Sequence, residues 1–464
     1  MLLGQLVSIG ISFLSIVVLS RMLPAEDFGL VAMVAVFTSA GLLLTDLGLA
    51  TSALRSAHLT QQQASNLFWI NALLGTIAML ILIILSPLIT QIYGDPRLYL
   101  LTIALSFGLL ANGLQSQFQV QLAHAAKFGP LAVVGATSAS LGLLVAIFGA
   151  HLGWGYWALV AQSLTVAYSS LAIKVIASRW RPSSPRRRSG TKALAVSGSH
   201  FFGAGALHQV TANVDSFVIG LGWGPTSVGI FGRAKQLADL PITLLSPLFN
   251  VVVPTLTADR AKNRDVQGRL IRIQGSIGTV GIGLLAMIAA AAPGLIPLVL
   301  GNDWDEVVPL FRILAAGTAV RTLTQVSYWA FTALGSSRDW LRYNIISKLL
   351  TIVFIVAGSF ISLSAVAIGQ ALGTTLGWLL NVAWLGRTTD LKPGPFYKNG
   401  TRILATGLIA AVSGSLVPQL SSVLATVSLQ LSVTGIVFLI LISLSNAGRR
   451  DLMGLWLIMK DFRP

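Results

Sequence analysis

Charged side chains occur inside two stretches of sequence that are otherwise apolar enough to lie in a membrane. The first stretch holds Asp215, Arg233, Lys235 and Asp239, and the second holds Arg312 and Arg321. An ionisable side chain at membrane depth costs roughly 3 kcal/mol or more unless it faces a partner or a water-filled cavity. A guanidinium can also bind phosphate through two parallel N–H donors. The pattern therefore predicts a binding site for an anionic, phosphate-bearing ligand.

Helical spacing separates the charges of the first stretch. Lys235 and Asp239 are four residues apart and share a helix face, so they are predicted to neutralise each other. Arg233 lies about 200° around the helix from Lys235 and roughly 13 Å into the membrane, counted from Pro225 at the start of the helix. Within one turn it has no acid in the sequence. Two alternatives stay open for Arg233, an ion pair with Asp215 of the preceding helix or contact with the ligand.

Other polar residues complete the predicted site. His208 and Asp215 fall on one face of the first helix, at positions i and i+7, so that face is not expected to meet lipid. Arg312 and Arg321 are nine residues apart, on opposite sides of an ideal helix, and we treat them as alternatives, each of which could instead bond to carbonyl groups. Asp46 is a candidate for coupling or gating, as is Asp239, although a capping or loop contact also explains Asp46.

Composition identifies the class of protein. Hydrophobic residues make up 54% of the chain, charged residues 10%, and the mean hydropathy is +0.79, which is typical of a polytopic membrane protein. The absence of cysteine excludes disulfides, thiol catalysis and cysteine-based metal sites. The net charge of +16 is spread between apolar runs and not gathered in one patch, which argues against nucleic acid as a partner. No cofactor, metal or nucleophile motif is present, so we expect no enzymatic activity.

Apolar runs near 20 residues long predict about fourteen transmembrane helices. Their approximate ranges are 2–22, 28–50, 66–89, 98–121, 128–150, 154–177, 195–220, 225–253, 269–298, 306–334, 341–361, 364–386, 402–420 and 426–446. Outside the spans, the basic residues alternate strongly between the two sides, with Arg21 and Arg97 as the exceptions. Lys174 and Lys348 are counted here as flanks whose long side chains reach towards the membrane surface. By the positive-inside rule, both termini are predicted to be cytoplasmic in a plasma membrane.

The basic segment RWRPSSPRRRS, which begins at Arg179, divides the chain. In isolation it resembles a nucleic-acid-binding motif, but we interpret it as a cytoplasmic linker that is attracted to anionic lipid. The predicted domains are an N-terminal lobe at 1–178, the linker at 179–193, a C-terminal lobe at 194–387, and two further helices with a tail at 388–464.

The two predicted lobes have weakly similar sequences. RMLPAEDFGLVAM from Arg21 matches LGWGPTSVGIFGR from Leu221 and aligns Gly29 with Gly229, and GAHLGWGYWALVAQ from Gly149 matches GSFISLSAVAIGQA at a similar offset. Both matches fall at corresponding span boundaries. They predict a parallel duplication of six spans, an arrangement in which the substrate path lies between the repeats.

Four stretches resemble a known family. They are SRMLPAEDFGLVAM, TDLGLATSALR, DSFVIGLGWGPTSVGIFGRAKQLADLP and PLVLGNDWDEVVPLFRILA. They are similar to the polysaccharide transporter branch of the multidrug/oligosaccharidyl-lipid/polysaccharide exporter superfamily, which includes the O-antigen and exopolysaccharide flippases. The resemblance implies a V-shaped, all-α bundle of two six-helix lobes around a central cavity. It also implies transfer of an undecaprenyl-pyrophosphate-linked oligosaccharide from the cytoplasmic to the outer leaflet.

Our hypothesis is a flippase that works by alternating access, with membrane lipids and possible polysaccharide polymerase machinery as partners. Some of Arg233, Arg312 and Arg321 would hold the pyrophosphate headgroup of the lipid-linked oligosaccharide. A multidrug antiporter of the same superfamily is the alternative, although it would need an acidic cavity for cationic drugs. A membrane polysaccharide polymerase or ligase is a third reading, but such enzymes generally need a larger outer loop than the sequence offers.

Overall fold

A computed structural model describes residues 2–56, 59–125, 128–186, 191–262 and 264–461. Its regular structure is helical, with no strand in the described residues. Ten helices there are long and apolar enough to cross a membrane. This confirms the prediction of an all-α integral membrane protein. The other four predicted spans also fall in helices, but their lengths and compositions do not by themselves establish fourteen crossings, so that number stays a prediction.

Residue contacts group the chain into two units, Met1–Gly232 and Arg233–Pro464. The predicted lobe and linker boundaries are a different division and stay a prediction. The first unit contains seven complete helices: α1 Leu2–Ser20, α2 Ala25–Asp46, α3 Leu49–Arg55, α4 Gln61–Tyr93, α5 Arg97–His124, α6 Phe128–His151 and α7 Tyr156–Ser178. The 33-residue α4 begins with a capping box, in which Thr60 and Gln63 each accept the other's backbone N–H.

A very long helical segment, α8 Thr191–Ala261, passes from the first unit into the second. An unbroken helix of its 71 residues would be about 107 Å long, several times the thickness of a bilayer. The backbone breaks at Gly224, which has φ 75° and ψ −178°, a conformation that favours glycine. Pro225 follows as the first residue of the second part, where its missing N–H needs no partner. The predicted spans 195–220 and 225–253 leave a short turn between them. In the structure, the non-helical backbone is confined to Gly224.

The second unit continues with seven α-helices and one short 3₁₀ turn, Asn302–Trp304. The helices are α9 Val266–Leu300, α10 Val307–Ala333, α11 Ser337–Ser359, α12 Leu363–Thr388, α13 Pro393–Ser415, α14 Val423–Ser443 and α15 Asn446–Asp461. The α15 helix was not predicted as a span. It packs on α9, where Ser276 donates to the carbonyl of Asp451.

The same pairing of helices occurs in both units. In the first, α4 packs on α5, α6 on α7, and α5 on α7. Six spans later along the chain, α9 packs on α10, α11 on α12, and α10 on α12. The aligned glycines Gly149 and Gly358 also serve alike, because each lies against the first turns of the following helix, near Ala158 and Ala365 respectively. These parallels agree with the sequence repeat.

Candidate functional site

Three helices of the second unit bring charged side chains together within segments that are otherwise apolar. The guanidinium Nη2 of Arg321, on α10, donates to a carboxylate oxygen of Asp239, on α8. Lys348, on α11, lies close enough to Arg321 and to Lys235 for electrostatic interaction with both. We name these four side chains, Arg321, Asp239, Lys235 and Lys348, the cation cluster. It carries a net positive charge, because three cations share it with one carboxylate.

The members of the cation cluster lie at similar depths. Arg321 is about 21 Å from the first residue of α10, and Lys348 is about 17 Å from the first residue of α11. Counted from Pro225, Lys235 and Asp239 are about 15 and 21 Å along their helix. Depths of about 15 to 21 Å fall near the middle of a hydrocarbon core about 30 Å thick, where a charge is most costly. The side chains of Arg321 and Asp239 are 40% and 34% exposed, so a ligand can reach them.

Lys348 is the member that the sequence did not identify. Its position near the end of a predicted run suggested a flexible flank that reaches towards the membrane surface. The helix that contains it begins at Ser337, so Lys348 is as deep as Arg321. Counted from residue 341, where the sequence placed the start of this span, Lys348 lies only about 10 Å deep, so the sequence underestimated its depth.

The other predicted residues of the first stretch occupy separate places. Arg233 is buried, belongs to the second unit and donates to Gln236 with an Nη1 to Oε1 distance of 2.6 Å. Asp215 is buried in the first unit, where its Oδ1 accepts the N–H of Ser216. The side chains of His208 and Asp46 lie outside the described part of the structure. The roles assigned to these residues stay predictions.

Arg312 has an identifiable structural task. Pro293 on α9 has no N–H, so the carbonyl of Ala289, four residues earlier, lacks its usual helical partner. The Nε of Arg312 donates to this carbonyl at 3.0 Å, and its Nη2 approaches the carbonyl of Ala290 at 3.5 Å. Contact with carbonyls was the alternative considered for this residue. Arg312 and the cation cluster are thus engaged with different partners.

A second buried cation occurs in the first unit. Lys174, on α7, is only 8% exposed, and its ammonium donates to the side-chain oxygens of Gln115 and Gln119, on α5, at 2.9 and 3.0 Å. Ser170 donates to the same oxygen of Gln115, which in turn donates to Asn112. Lys174 was expected to be a flexible flank. Its partners are neutral amides, which hold the ammonium between two helices and leave its charge uncompensated.

The first unit also contains a close crossing of α2 and the second part of α8. A Cβ atom at Gly29 would overlap the carbonyl oxygen of Pro225, and one at Gly229 would overlap the carbonyl oxygen of Ala25. The repeat aligns Gly29 with Gly229 and Ala25 with Pro225 at the same offset of 200. The contact is therefore reciprocal, as in an interface between two copies related by a two-fold axis. We name it the glycine crossing.

Outside the spans, the pKa values of two ion-paired carboxyls are shifted, one by its partner and the other by burial. Hydrogen bonding from Arg97 holds the pKa of Asp95 below its usual value, and Arg97 also bonds to Glu26 at 2.6 Å. Burial raises the pKa of Asp451, against the opposing effect of its bond from Arg402. These groups tie helix ends together and lie apart from the cation cluster in sequence and helix position.

A family model described as "Polysaccharide biosynthesis protein" matches residues 18–309, more than half of the chain. The chain belongs to this family. Among its relatives is the lipopolysaccharide biosynthesis protein WzxC of Escherichia coli K12, with 21% identity over 81% of this chain and 76% of that protein. Another is the succinoglycan biosynthesis transport protein ExoT of Rhizobium meliloti, with 25% identity over 68% of this chain and 64% of that protein. The chain thus spans slightly less than two thirds of the ExoT sequence.

Solved structures share the fold of this polysaccharide biosynthesis protein. The inward closed conformation of the lipid II flippase MurJ matches with a TM-score of 0.77 at 14% identity, over 97% of this chain and 99% of that one. A Vibrio cholerae MATE transporter matches with a TM-score of 0.57 at 13% identity, over 85% and 96% of the two chains. The chain therefore has the fold of MurJ and of the MATE transporter, as the sequence resemblance implied. ExoT, MurJ and the MATE protein are named as transport proteins, flippases or transporters.

Proposed function

We propose that the protein is a flippase that moves a lipid-linked oligosaccharide from the cytoplasmic to the outer leaflet during polysaccharide biosynthesis. The substrate class follows from the chemistry of the cation cluster. A sugar that is linked to a lipid through pyrophosphate carries negative charge at the headgroup, which matches a net positive cluster at mid-membrane depth. Lipopolysaccharide or exopolysaccharide repeat units are the passengers that the family supports.

The observation that carries this proposal is the exposed ion pair between Arg321 and Asp239. A guanidinium has five N–H donors in a planar fork that fits phosphate oxygens, and the bond to Asp239 uses only the Nη2 side. An incoming phosphate can bond to the same guanidinium or replace the carboxylate. Lys348 and Lys235 then add charge without fixed geometry, because an ammonium acts as a compact point charge.

The membrane potential would assist such a movement by alternating access. An inside-negative potential of about 100 mV favours outward transfer of an anion by roughly 2.3 kcal/mol per charge. The proposal includes cytoplasmic termini, from the distribution of basic residues, and delivery of the passenger to polysaccharide polymerase machinery outside. Arg233, Arg312, Asp215 and His208 are kept as proposed contacts of the headgroup path, and Asp46 as a proposed coupling residue, with weaker support than the cluster.

The test is leaflet transfer in proteoliposomes that contain a fluorescent lipid-pyrophosphate oligosaccharide. We expect the variant R321A/K348A to lower the transfer rate by at least 10-fold. The matched control is R338A/R342A, which removes two exposed cations from the first turns of α11. Equal rates for the two double variants would remove the cation cluster from the substrate path.

Transport of a cationic drug tests the alternative function, that of a multidrug antiporter. If the protein were a multidrug antiporter, the same R321A/K348A variant would keep or increase drug transport, because it removes two repelling charges. The net charge of the cluster disfavours that function. Drug uptake by the wild-type protein, in the absence of lipid-linked sugar transfer, would overturn the proposal.

A further inference from the structure

The eight residues that follow α7, Arg179 to Arg186, run along the first turns of α4, and we name them the strap. The sequence interpretation treated them as part of a cytoplasmic linker that is attracted to anionic lipid, and gave them no fixed structure. Instead, polar side chains on one face of α4 bond to the strap at successive positions, and these are Gln61, Gln62, Ser65, Asn66 and Trp69. They are alternately one and three residues apart in the sequence, so they form a row along one face of α4. We refer to them below as the row.

Most of these bonds are made to the backbone of the strap. The side chain of Asn66 both donates to the carbonyl and accepts from the N–H of Arg186, at 2.7 and 3.0 Å. The indole of Trp69 donates to the carbonyl of Ser183 at 3.0 Å, and Gln61 donates to that of Arg181 at 2.8 Å. Pro182 lacks an N–H, so it needs no partner there. These bonds, together with those from the side chains of Trp180 and Ser183 to Gln61 and Ser65, hold the strap in one conformation.

The beginning of the strap is fixed by a bend and an aromatic contact. Arg179 has a φ of 54°, which turns the chain sharply after the last residue of α7. The indole of Trp180 then packs against Phe68 and Phe118, with ring centroids 6.1 and 5.4 Å apart. These contacts place the following residues across α4.

The side chains that the strap presents are basic and exposed. Arg179, Arg181 and Arg186 are all exposed, and Trp69 beside them is 45% exposed. The strap joins the ends of α4 and α7, two helices that are long and apolar enough to cross a membrane. It therefore lies at the level of the lipid headgroups. Exposed arginine next to an indole is the composition that interacts with this layer.

We propose that the strap is a binding site for the phosphate of anionic phospholipid headgroups in the leaflet that adjoins the start of α4. Its three guanidinium groups hold phosphate by charge-assisted hydrogen bonds. The geometry distinguishes this site from a charged linker, because its affinity depends on the row of α4 side chains as well as on the arginines. The inference is independent of the proposed flippase function, since it concerns lipid retention and not transfer.

The experiment measures retained lipid. The full chain is purified from nanodiscs that contain phosphatidylcholine and phosphatidylglycerol, and bound phosphatidylglycerol is counted by native mass spectrometry. Each guanidinium near an anionic surface contributes a factor of about five, so R179Q/R181Q/R186Q is expected to weaken retention on the order of 100-fold. The matched control R338Q/R342Q/R450Q neutralises three other exposed arginines and is expected to retain lipid like the wild type.

A second variant tests the role of the row on α4. S65A/N66A keeps every arginine but removes bonds to Ser183 and Arg186, and we expect about a 10-fold loss of retention. The chain has no cysteine, so a spin label at S184C reports strap motion alone. We expect an immobile label in the wild-type background and a mobile one with S65A/N66A.

Three results would overturn the proposal. One is equal lipid retention by the two triple arginine variants. Another is wild-type retention by S65A/N66A with a mobile label, which would mean that charge alone attracts lipid. The third is displacement of the lipid by inorganic phosphate at matched concentration, which would assign the site to a soluble anion. Lipid retention that is lost in R179Q/R181Q/R186Q and unaffected by free phosphate supports it.

Discussion

In the first unit, the ammonium of Lys174 on α7 donates to two neutral amide oxygens on α5. In the second unit, the guanidinium of Arg321 on α10 donates to the carboxylate of Asp239, near two further cations. The two units share a pairing of helices, yet they bury charge differently. Lys174 is 8% exposed, whereas the side chain of Arg321 is 40% exposed. The comparison indicates that Lys174 has a structural role, because it joins two helices. Arg321, by contrast, can exchange the carboxylate of Asp239 for the phosphate of a ligand.

The shared pairing of helices does not determine how each unit accommodates its buried charge. The corresponding helix pairs, α5 with α7 and α10 with α12, differ in the polar residues that they carry. A neutral amide accepts the hydrogen bonds of an ammonium but does not neutralise its charge. A carboxylate can be replaced by a phosphate with little change in charge. The following predictions test the scaffold first and then the two kinds of cation.

The largest effect is expected at the glycine crossing, on which the repeated arrangement rests. Gly29→Ala and Gly229→Ala each place a methyl group in the position of a main-chain carbonyl oxygen. Overpacking of this kind costs about 3 kcal/mol or more when the backbone must move. Thermal unfolding in detergent should show a large fall in Tm for both variants.

Two nearby glycines serve as controls for the crossing. A Cβ atom at Gly222 or at Gly232 would meet nothing within 4 Å. Gly222→Ala and Gly232→Ala should therefore leave the Tm close to that of the wild type. Four similar Tm values would mean that the crossing does not constrain the fold.

The second prediction exchanges the two lysines for methionine. Lys348→Met should reduce lipid-linked sugar transfer about 10-fold or more with little loss of stability, since it removes a cation that faces two others. Lys174→Met removes the donor to the side-chain oxygen of Gln119, which costs about 1–3 kcal/mol for an unsatisfied group, whereas the oxygen of Gln115 keeps Ser170 as a donor.

The measurements are the Tm and the transfer rate per folded molecule. Lys174→Met should show a lowered Tm and near wild-type transfer at a permissive temperature. The reverse assignment, with transfer lost in Lys174→Met and stability lost in Lys348→Met, would invert the comparison between the units.

The third prediction concerns Arg312 and Pro293. Arg312→Gln should lower the free energy of unfolding by about 1 kcal/mol, because the carbonyl freed by the proline loses its donor. In a Pro293→Ala background, the helix supplies that donor itself, so the same substitution should have a smaller effect. A double-mutant cycle with denaturant unfolding measures the difference. Additive effects would mean that Arg312 does not act through the proline-freed carbonyl.

The smallest effect is expected from an ion pair outside the spans. The folded-state pKa of Asp95 is lowered by Arg97, so the stability it contributes is present above the unfolded pKa of about 3.9 and is lost as the pH falls through the folded pKa. Asp95→Asn should lower the free energy of unfolding at pH 7 by less than about 1 kcal/mol. The difference from the wild type should shrink in unfolding measurements as the pH falls below about 3.9. A difference that grows in acid would contradict the assignment.

The fold was predictable from the sequence because membrane spanning depends on local composition. Apolar runs located the helices, and Gly224 followed by Pro225 located the break in α8. The similarity between residues near Gly29 and Gly229 indicated the repeat. What the sequence did not reveal is that these two segments are each other's neighbours, because the contact involves main-chain atoms that every sequence has.

The site was predictable only in part. Arg321 and Asp239 were identified individually from their depth, but their bond to each other depends on which helices pack together. Lys348 and Lys174 were missed because a lysine near the end of an apolar run has a long side chain that usually reaches water. The task of Arg312 could have been inferred, since Pro293 is visible in the sequence and always frees a carbonyl.

The reciprocal form of the glycine crossing also restricts how the chain can change after a gene duplication. Each glycine faces a carbonyl oxygen and not a side chain, so a larger residue in one copy has no compensating substitution in the other. The residues around the two glycines can change independently. A larger residue in place of either glycine, however, cannot be accommodated by a change in the other segment. The two matched segments therefore stay alike where each contacts the main chain of the other.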